Sequence, residues 1–183
     1  MRLYDLRGRR LYLNAAERRR FARHAASAPA DVMLLCMVLL HTGCRISEAL
    51  ALTPQSFQRS SLALSIATLK RRRRGLVREV PVPRELFTLL ARVDRPDGTA
   101  PLFPMHRGTA WRKVKDILRR AGIAGTQAMP KGLRHGFGVN AIRCGVPLNL
   151  LARWMGHASI KTTAIYANAT GPEERQIAAK MWK

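Results

Sequence analysis

The segment GHASIKTTAIYA, from Gly156 to Ala167, sets His157 nine residues before Tyr166, with small and hydroxylated residues between them. A phenol is a weak nucleophile at its ordinary pKa, and an imidazole beside it offers one hydrogen bond in or out. Three other stretches hold cations of the kind that nucleophilic attack at an anionic centre needs. In TGCRISEAL (42–50), Arg45 follows a glycine stop, and Glu48 stands three residues on, placed to hold the guanidinium. The tip KRRRRG (70–75) opens with Lys70 and continues with Arg71, Arg72, Arg73 and Arg74. Lys70 is the member of that run that gives up a proton when its pKa is lowered, so it can act as a general acid. In KGLRHGF (131–137), Lys131 and Arg134 at i and i+3 share a helix face, and His135 points elsewhere.

Taken singly, each of these is ordinary. An arginine beside a helix end is a surface cation, and a run of bases is a solvated turn or a non-specific phosphate grip. His135 alone reads as a buried, hydrogen-bonded histidine, and Tyr166, followed by Ala and Asn, as half-buried packing.

The elements must bring them together. Along one unbroken helix, nine steps of about 100° would send His157 and Tyr166 to opposite faces. Gly156 can end one helix and Ser159 can cap the next, which places Tyr166 on a second short helix and lets both rings reach one place. Further upstream, Asn14 with Glu17 three residues on is a variant of the capping box that opens a first helix. Asp31 is expected to cap DVMLLCMVLLHTG, apolar on nearly every face and therefore a buried helix stopped at Gly43. The alternation in LALSIAT (62–68) and VREVPV (77–82) predicts a two-stranded hairpin whose tip is the basic run. Helical patterns recur around 84–93, 109–121, 131–144, 147–155, 159–168 and 173–182. In the last, Ile177, Ala178 and Met181 with Trp182 beside them form a small apolar face on the terminal helix. The expected fold is a mainly α single domain with a small antiparallel β-hairpin.

The chain of 183 residues is 47% apolar, enough for one core. Its 33 Lys plus Arg against 11 Asp plus Glu give a net charge of +22, the profile of a polyanion binder, with nucleic acid the first candidate. Arginine dominates the basic residues, and its fork suits phosphate. Cys36, Cys44 and Cys144 form no CxxC pair, so neither a disulfide framework nor a metal site is indicated. The longest apolar run, Val32 to Leu40, is too short to span a bilayer, and MRLYDLRGRR lacks a signal peptide's apolar centre. A soluble cytoplasmic protein is the expectation.

Together, in this order and spacing, the four stretches resemble the tyrosine recombinases, or phage integrase family. TGCRISEAL matches the family's first-arginine motif, KGLRHGF its HxLRH motif, and MGHASIKTTAIYA its LGHxxxxTTxxYxx signature. The 23 residues from Arg134 to His157 and the nine to Tyr166 agree with the family's spacing. The resemblance runs from about Leu13 to Ala169, and two features depart from it. Lys131 stands where the family usually has His. Lys70 lies eleven residues before Pro81, further than the family's lysine stands from its matching proline, so Arg73 is a rival by register.

The resemblance implies a tyrosine recombinase catalytic-domain fold over 13–183 after a basic lead, 1–12, without the N-terminal arm domain that most integrases carry. A similarly compact build occurs in the recombinases that flip fimbrial promoters. It also implies the chemistry. Tyr166 attacks the scissile phosphate to form a 3′-phosphotyrosyl link. Arg45, Arg134, Lys131 and His157 bind the transition-state charge, Lys70 protonates the leaving 5′ oxygen, and no metal or cofactor takes part. The implied partners are double-stranded DNA, a homotetramer acting on two sites, and an accessory DNA-binding protein; no membrane is involved. A type IB topoisomerase shares this chemistry without site dependence, and a non-catalytic DNA-binding protein could retain the fold. A basic RNA-binding or structural protein would have no reason to hold Arg45, Lys131, Arg134, His157 and Tyr166 in register.

Overall fold

The computed structural model describes residues 2–69, 75–93 and 98–182. The expected first helix forms as α1, Ala15–Ala26. Its capping box closes in both directions: Asn14 Oδ1 accepts from the Glu17 N–H at 2.8 Å, and Glu17 accepts from the Asn14 N–H at 2.9 Å. The apolar run becomes α2, Ala30–Thr42, buried on most of its faces and ended by Gly43 in the left-handed conformation, φ 61°. Asp31 does not cap it. The helix starts one residue earlier, after Pro29, whose fixed φ suits a helix entrance, and the Asp31 carboxylate turns instead to Lys113 Nζ at 3.2 Å.

A short helix, α3 (Ile46–Leu50), leads into a sheet of strands β1 (Phe57–Gln58), β2 (Ala63–Ala67) and β3 (Val77–Pro81). The expected hairpin is β2–β3, antiparallel from Ala63↔Pro81 to Ala67↔Val77, and β1 adds a third strand on the far side of β2 that the hairpin reading lacked. Leu64 and Ile66 of β2 and Val80 of β3 face the core, as period-two alternation requires. Helices α4 (Arg84–Ala91), α5 (Arg107–Arg120), α6 (Pro130–Arg143) and α7 (Leu148–Met155) follow. The chain then forms α8 (Ile160–Ala164), a 3₁₀ turn at Ile165–Asn168 and α9 (Pro172–Ala178).

Helix α6 is the axis of the domain. Its Leu133 belongs to the larger core with α1 to α5 and the sheet. Phe137, Val139 and Ala141 belong to a second core with Leu151, Met155 and Tyr166. Each fully buried large side chain contributes on the order of 2 kcal/mol of apolar transfer energy, so both faces of α6 hold it in place. Three glycines let backbone and rings crowd it; a Cβ on Gly138 would stand 2.6 Å from the Tyr166 ring. Leu3 and Tyr12 close the second core from the N-terminal side, and the Tyr4 hydroxyl accepts from the Thr170 N–H at 3.0 Å. Helix α9 rests on α6 of its own chain with Ile177 and Ala178 half-buried, while Met181 and Trp182 stay exposed. Among the described residues, no helix is long and apolar enough to cross a membrane.

Candidate functional site

The turn at Gly43 delivers Arg45 to the start of α3, where it is the residue before the helix. Glu48, buried to 1% exposure, accepts from both the Arg45 backbone N–H (2.9 Å) and its Nη1 (2.7 Å). The pairing expected from the i, i+3 spacing is therefore present. Glu48 also receives Arg78 Nη2 at 2.6 Å. Burial pushes the Glu48 carboxyl upward, but the Arg78 charge and the hydrogen bonds from Arg45 and Arg78 outweigh it and hold the group below its ordinary pKa.

Arg134 comes from the first half of α6 and is almost wholly buried. Its Nη1 donates to the Gly43 carbonyl and its Nη2 to the Met155 carbonyl, both at 2.7 Å. Those carbonyls lie at the C-terminal ends of α2 and α7, where unpaired acceptors and the helix dipoles favour a cation. Burial, and then the nearby Arg45 charge, pull the Arg134 pKa down to about 10, so the guanidinium stays charged at neutral pH. Lys131, one turn earlier on α6, is exposed. Arg45, Lys131 and Arg134 converge on one cavity of about 350 Å³, whose lining also includes Ser47, Arg107 and Trp111. Among the described residues, its lining contains three of the expected site residues and no carboxylate.

His157 and Tyr166 are brought together beside that cavity rather than in its wall. The required break occurs as expected: Gly156 ends α7 at φ 63°, and the Ser159 hydroxyl caps α8 by accepting from the Lys161 N–H at 3.2 Å. The two rings stack 6.2 Å apart at 11°. His157 Nδ1 lies 2.8 Å from Thr163 Oγ1, and its buried Nε2 has no hydrogen-bond partner among the described residues. Burial, reinforced by Arg134, Arg45 and Arg78, lowers the His157 pKa to about 4, so the ring is neutral at pH 7. Tyr166 is fully buried, with its hydroxyl 3.3 Å from His135 Nδ1. Burial pushes the phenol up to about 12 against the opposing charges of Arg134 and Arg45. His135 is thus the buried, hydrogen-bonded histidine that its sequence suggested. Lys70 and the run Arg71, Arg72, Arg73 and Arg74 lie outside the described residues.

Arg78 was missed in the sequence reading. Its signal is legible afterwards: in VREVPV it occupies the same inward face as Val80 and Val82, a charged residue where alternation demands an apolar one. Arg107 and Trp111 were also missed, because nothing local ties α5 to the two arginine motifs.

The fold and site define a mainly helical domain that presents a cationic cleft next to a buried tyrosine–histidine pair. The chain matches the Phage integrase family over residues 11–172, and it belongs to that family. It is 31% identical over 150 residues to the tyrosine recombinase XerA of Pyrococcus furiosus, an alignment covering 75% of this chain and 50% of the relative. The crystal structure of XerA recombinase superposes with a TM-score of 0.79 at 23% identity, covering 94% of this chain and 65% of that one. XerH site-specific recombinase bound to its difH substrate, in a pre-cleavage complex, superposes at 0.75 with 21% identity over 98% of this chain and 60% of that one. These two likenesses establish the fold. The chain spans about half the length of the curated relatives it matches.

Proposed function

We propose that residues 13–183, preceded by the basic lead 1–12, form the catalytic domain of a site-specific DNA recombinase. It would cleave and rejoin DNA through a 3′-phosphotyrosyl intermediate on Tyr166. The observation that carries this reading is the convergence of Arg45, Lys131 and Arg134 on one cavity, with Arg134 bonded to the end of the helix that delivers His157. Two guanidiniums, held by protein acceptors before substrate arrives, and an exposed ammonium beside them suit the extra negative charge of a pentacoordinate phosphorus.

The Tyr166 hydroxyl gives up its proton to water as its oxygen forms the new bond to phosphorus, and the bond to the 5′ oxygen breaks. Lys70 supplies the proton that the leaving oxygen takes up, and His157, neutral and with Nε2 unpaired, donates to a phosphoryl oxygen. In the free chain the phenol is buried and keeps its proton. Attack therefore requires the turn Ile165–Asn168 to carry Tyr166 toward the cavity, where Arg45 and Arg134 favour the phenolate. The covalent link conserves the phosphodiester bond energy, so a second strand can reseal it without a nucleotide. Lys131 keeps a cation where the family usually has His, and it serves by charge rather than by imidazole proton transfer.

The partners on this reading are double-stranded DNA, three further copies of the chain on two sites, and an accessory DNA-binding protein, in the cytoplasm. The net charge of +22 and the names of the relatives support it. A plasmid carrying two copies of a candidate site from the DNA flanking the coding region tests it. The expected result is recombinant product that depends on both sites and vanishes in Tyr166→Phe. Binding without product would return the chain to a DNA-binding role, and relaxation independent of any site would make it a topoisomerase.

A further inference from the structure

We propose that Arg78 is a positioning residue that aims Arg45 at the scissile phosphate. The proposal rests on the recombinase reading, because it concerns how one of the phosphate-binding arginines is held. Arg78 is 6% exposed and does not line the cavity. Its Nη2 donates to Glu48 Oε2 at 2.6 Å, its Nε to the Trp154 carbonyl at 2.7 Å, and its Nη1 to Thr68 Oγ1 at 3.2 Å. Each of its three nitrogens donates to protein and the group is buried, so Arg78 is turned away from DNA.

What it does follows from the carboxylate it shares. Left alone with Arg45, Glu48 would draw the guanidinium into a two-oxygen fork, the preferred geometry of such pairs. Arg78 shares Oε2 with the Arg45 backbone N–H, and the Arg45 guanidinium keeps Oε1 through Nη1 alone. Among the described residues the Arg45 side chain makes no other hydrogen bond, so Nε and Nη2 remain for phosphoryl oxygens. The Arg45 side chain is 40% exposed and faces the cavity, while its counter-ion is fully buried behind it. The second hand of Arg78 reaches the other half of the site. The Trp154 carbonyl lies two residues before Gly156, and a Cβ on Gly156 would stand 3.1 Å from the Arg78 guanidinium. One buried cation thus lies between the carboxylate that holds Arg45 and the turn at Gly156.

The test pairs a structure with a rate. In a crystal structure of Arg78→Met, both Glu48 oxygens should accept from the Arg45 guanidinium. A retained single-oxygen contact would overturn the proposal, whatever the protein's activity. On a nicked duplex carrying its site, Arg78→Met should form covalent adduct on the order of a hundredfold more slowly, with duplex affinity unchanged, since misaimed catalytic groups cost this much. In an Arg45→Ala background, adding Arg78→Met should cost less than about twofold further, the loss of independence expected of residues acting through one another. Equal losses in both backgrounds would mean a general structural role and would sink the idea. Should Arg78→Met fail to fold, Arg78→Lys gives the converse test. It keeps a cation on Glu48 Oε2, so Arg45 should stay singly bonded and the adduct rate within a few-fold of wild type; a loss of about a hundredfold would overturn the proposal. Absence of adduct from the wild-type protein at every site would count against the recombinase reading, and the crystallographic comparison would still decide Arg78.

Discussion

His135 Nδ1 faces the Tyr166 hydroxyl at 3.3 Å inside the second core, a contact between two groups that are both held in their neutral forms. Burial, then the charges of Lys131 and Arg134, pull the imidazole down to about 4, and burial pushes the phenol up to about 12. Protonating His135 would put a charge in an apolar pocket already flanked by cations. The free protein therefore stores its tyrosine as a protonated, hydrogen-bonded phenol.

The burial of His135 makes stability depend on pH. An unfolded histidine binds its proton near 6.5, whereas folded His135 resists down to about 4, so between those values the unfolded chain holds more protons. Stability should fall as pH drops through that window, by on the order of 3 kcal/mol from His135. The Glu48 contribution, from a lowered carboxyl, is lost only at lower pH. Urea midpoints of wild type and His135→Asn, taken from pH 7 to pH 4, should diverge at neutral pH and converge in acid. Parallel curves would contradict the assignment.

Gly156 is constrained twice, by φ 63° and by the Arg78 guanidinium against it. Gly156→Ala should cost about 1–2 kcal/mol for the left-handed backbone, plus the displacement of Arg78. Gly122→Ala is the matched control, with the same φ of 63° and nothing within 4 Å of the added methyl. The two variants should lose comparable backbone energy, but only Gly156→Ala should slow adduct formation. Equal behaviour in both assays would mean that Arg78 yields without consequence.

Lys70 and Arg73 compete for the role of acid. Replacing the leaving 5′ oxygen by sulfur removes most of the need for protonation. Lys70→Ala should slow cleavage of ordinary DNA and spare the sulfur substrate, while Arg73→Ala should slow both alike. The reverse pattern would move the acid to Arg73.

Much of this site was legible in the chain itself, for local reasons. Asn14 with Glu17, Gly43, and the Gly156–Ser159 break act within a few residues, so their spacing carries their geometry. Glu48 met Arg45 for the same reason, at i+3. What escaped depends on distant partners or on elements too short to show a period. Helix α3 has five residues and β1 has two. Asp31 reads as a cap until Lys113, far along the chain, is seen to take its carboxylate. Arg78 stands on the inward face of its strand, a charge without a purpose until Glu48 on α3 is found to take it. The burial of Tyr166 depends on Gly138 leaving room for a ring, a fact of packing that neither motif announces.

The most direct test of the account is covalent trapping. The protein is incubated with a duplex carrying its site and a nick just beyond the scissile phosphate, so that the short released fragment diffuses away and resealing fails. Wild-type protein should accumulate a denaturant-stable adduct joined through Tyr166, and Tyr166→Phe should bind the duplex equally well and give none. An adduct that persists undiminished in Tyr166→Phe would contradict the mechanism and move the nucleophile to Tyr4 or Tyr12, the remaining tyrosines of the chain.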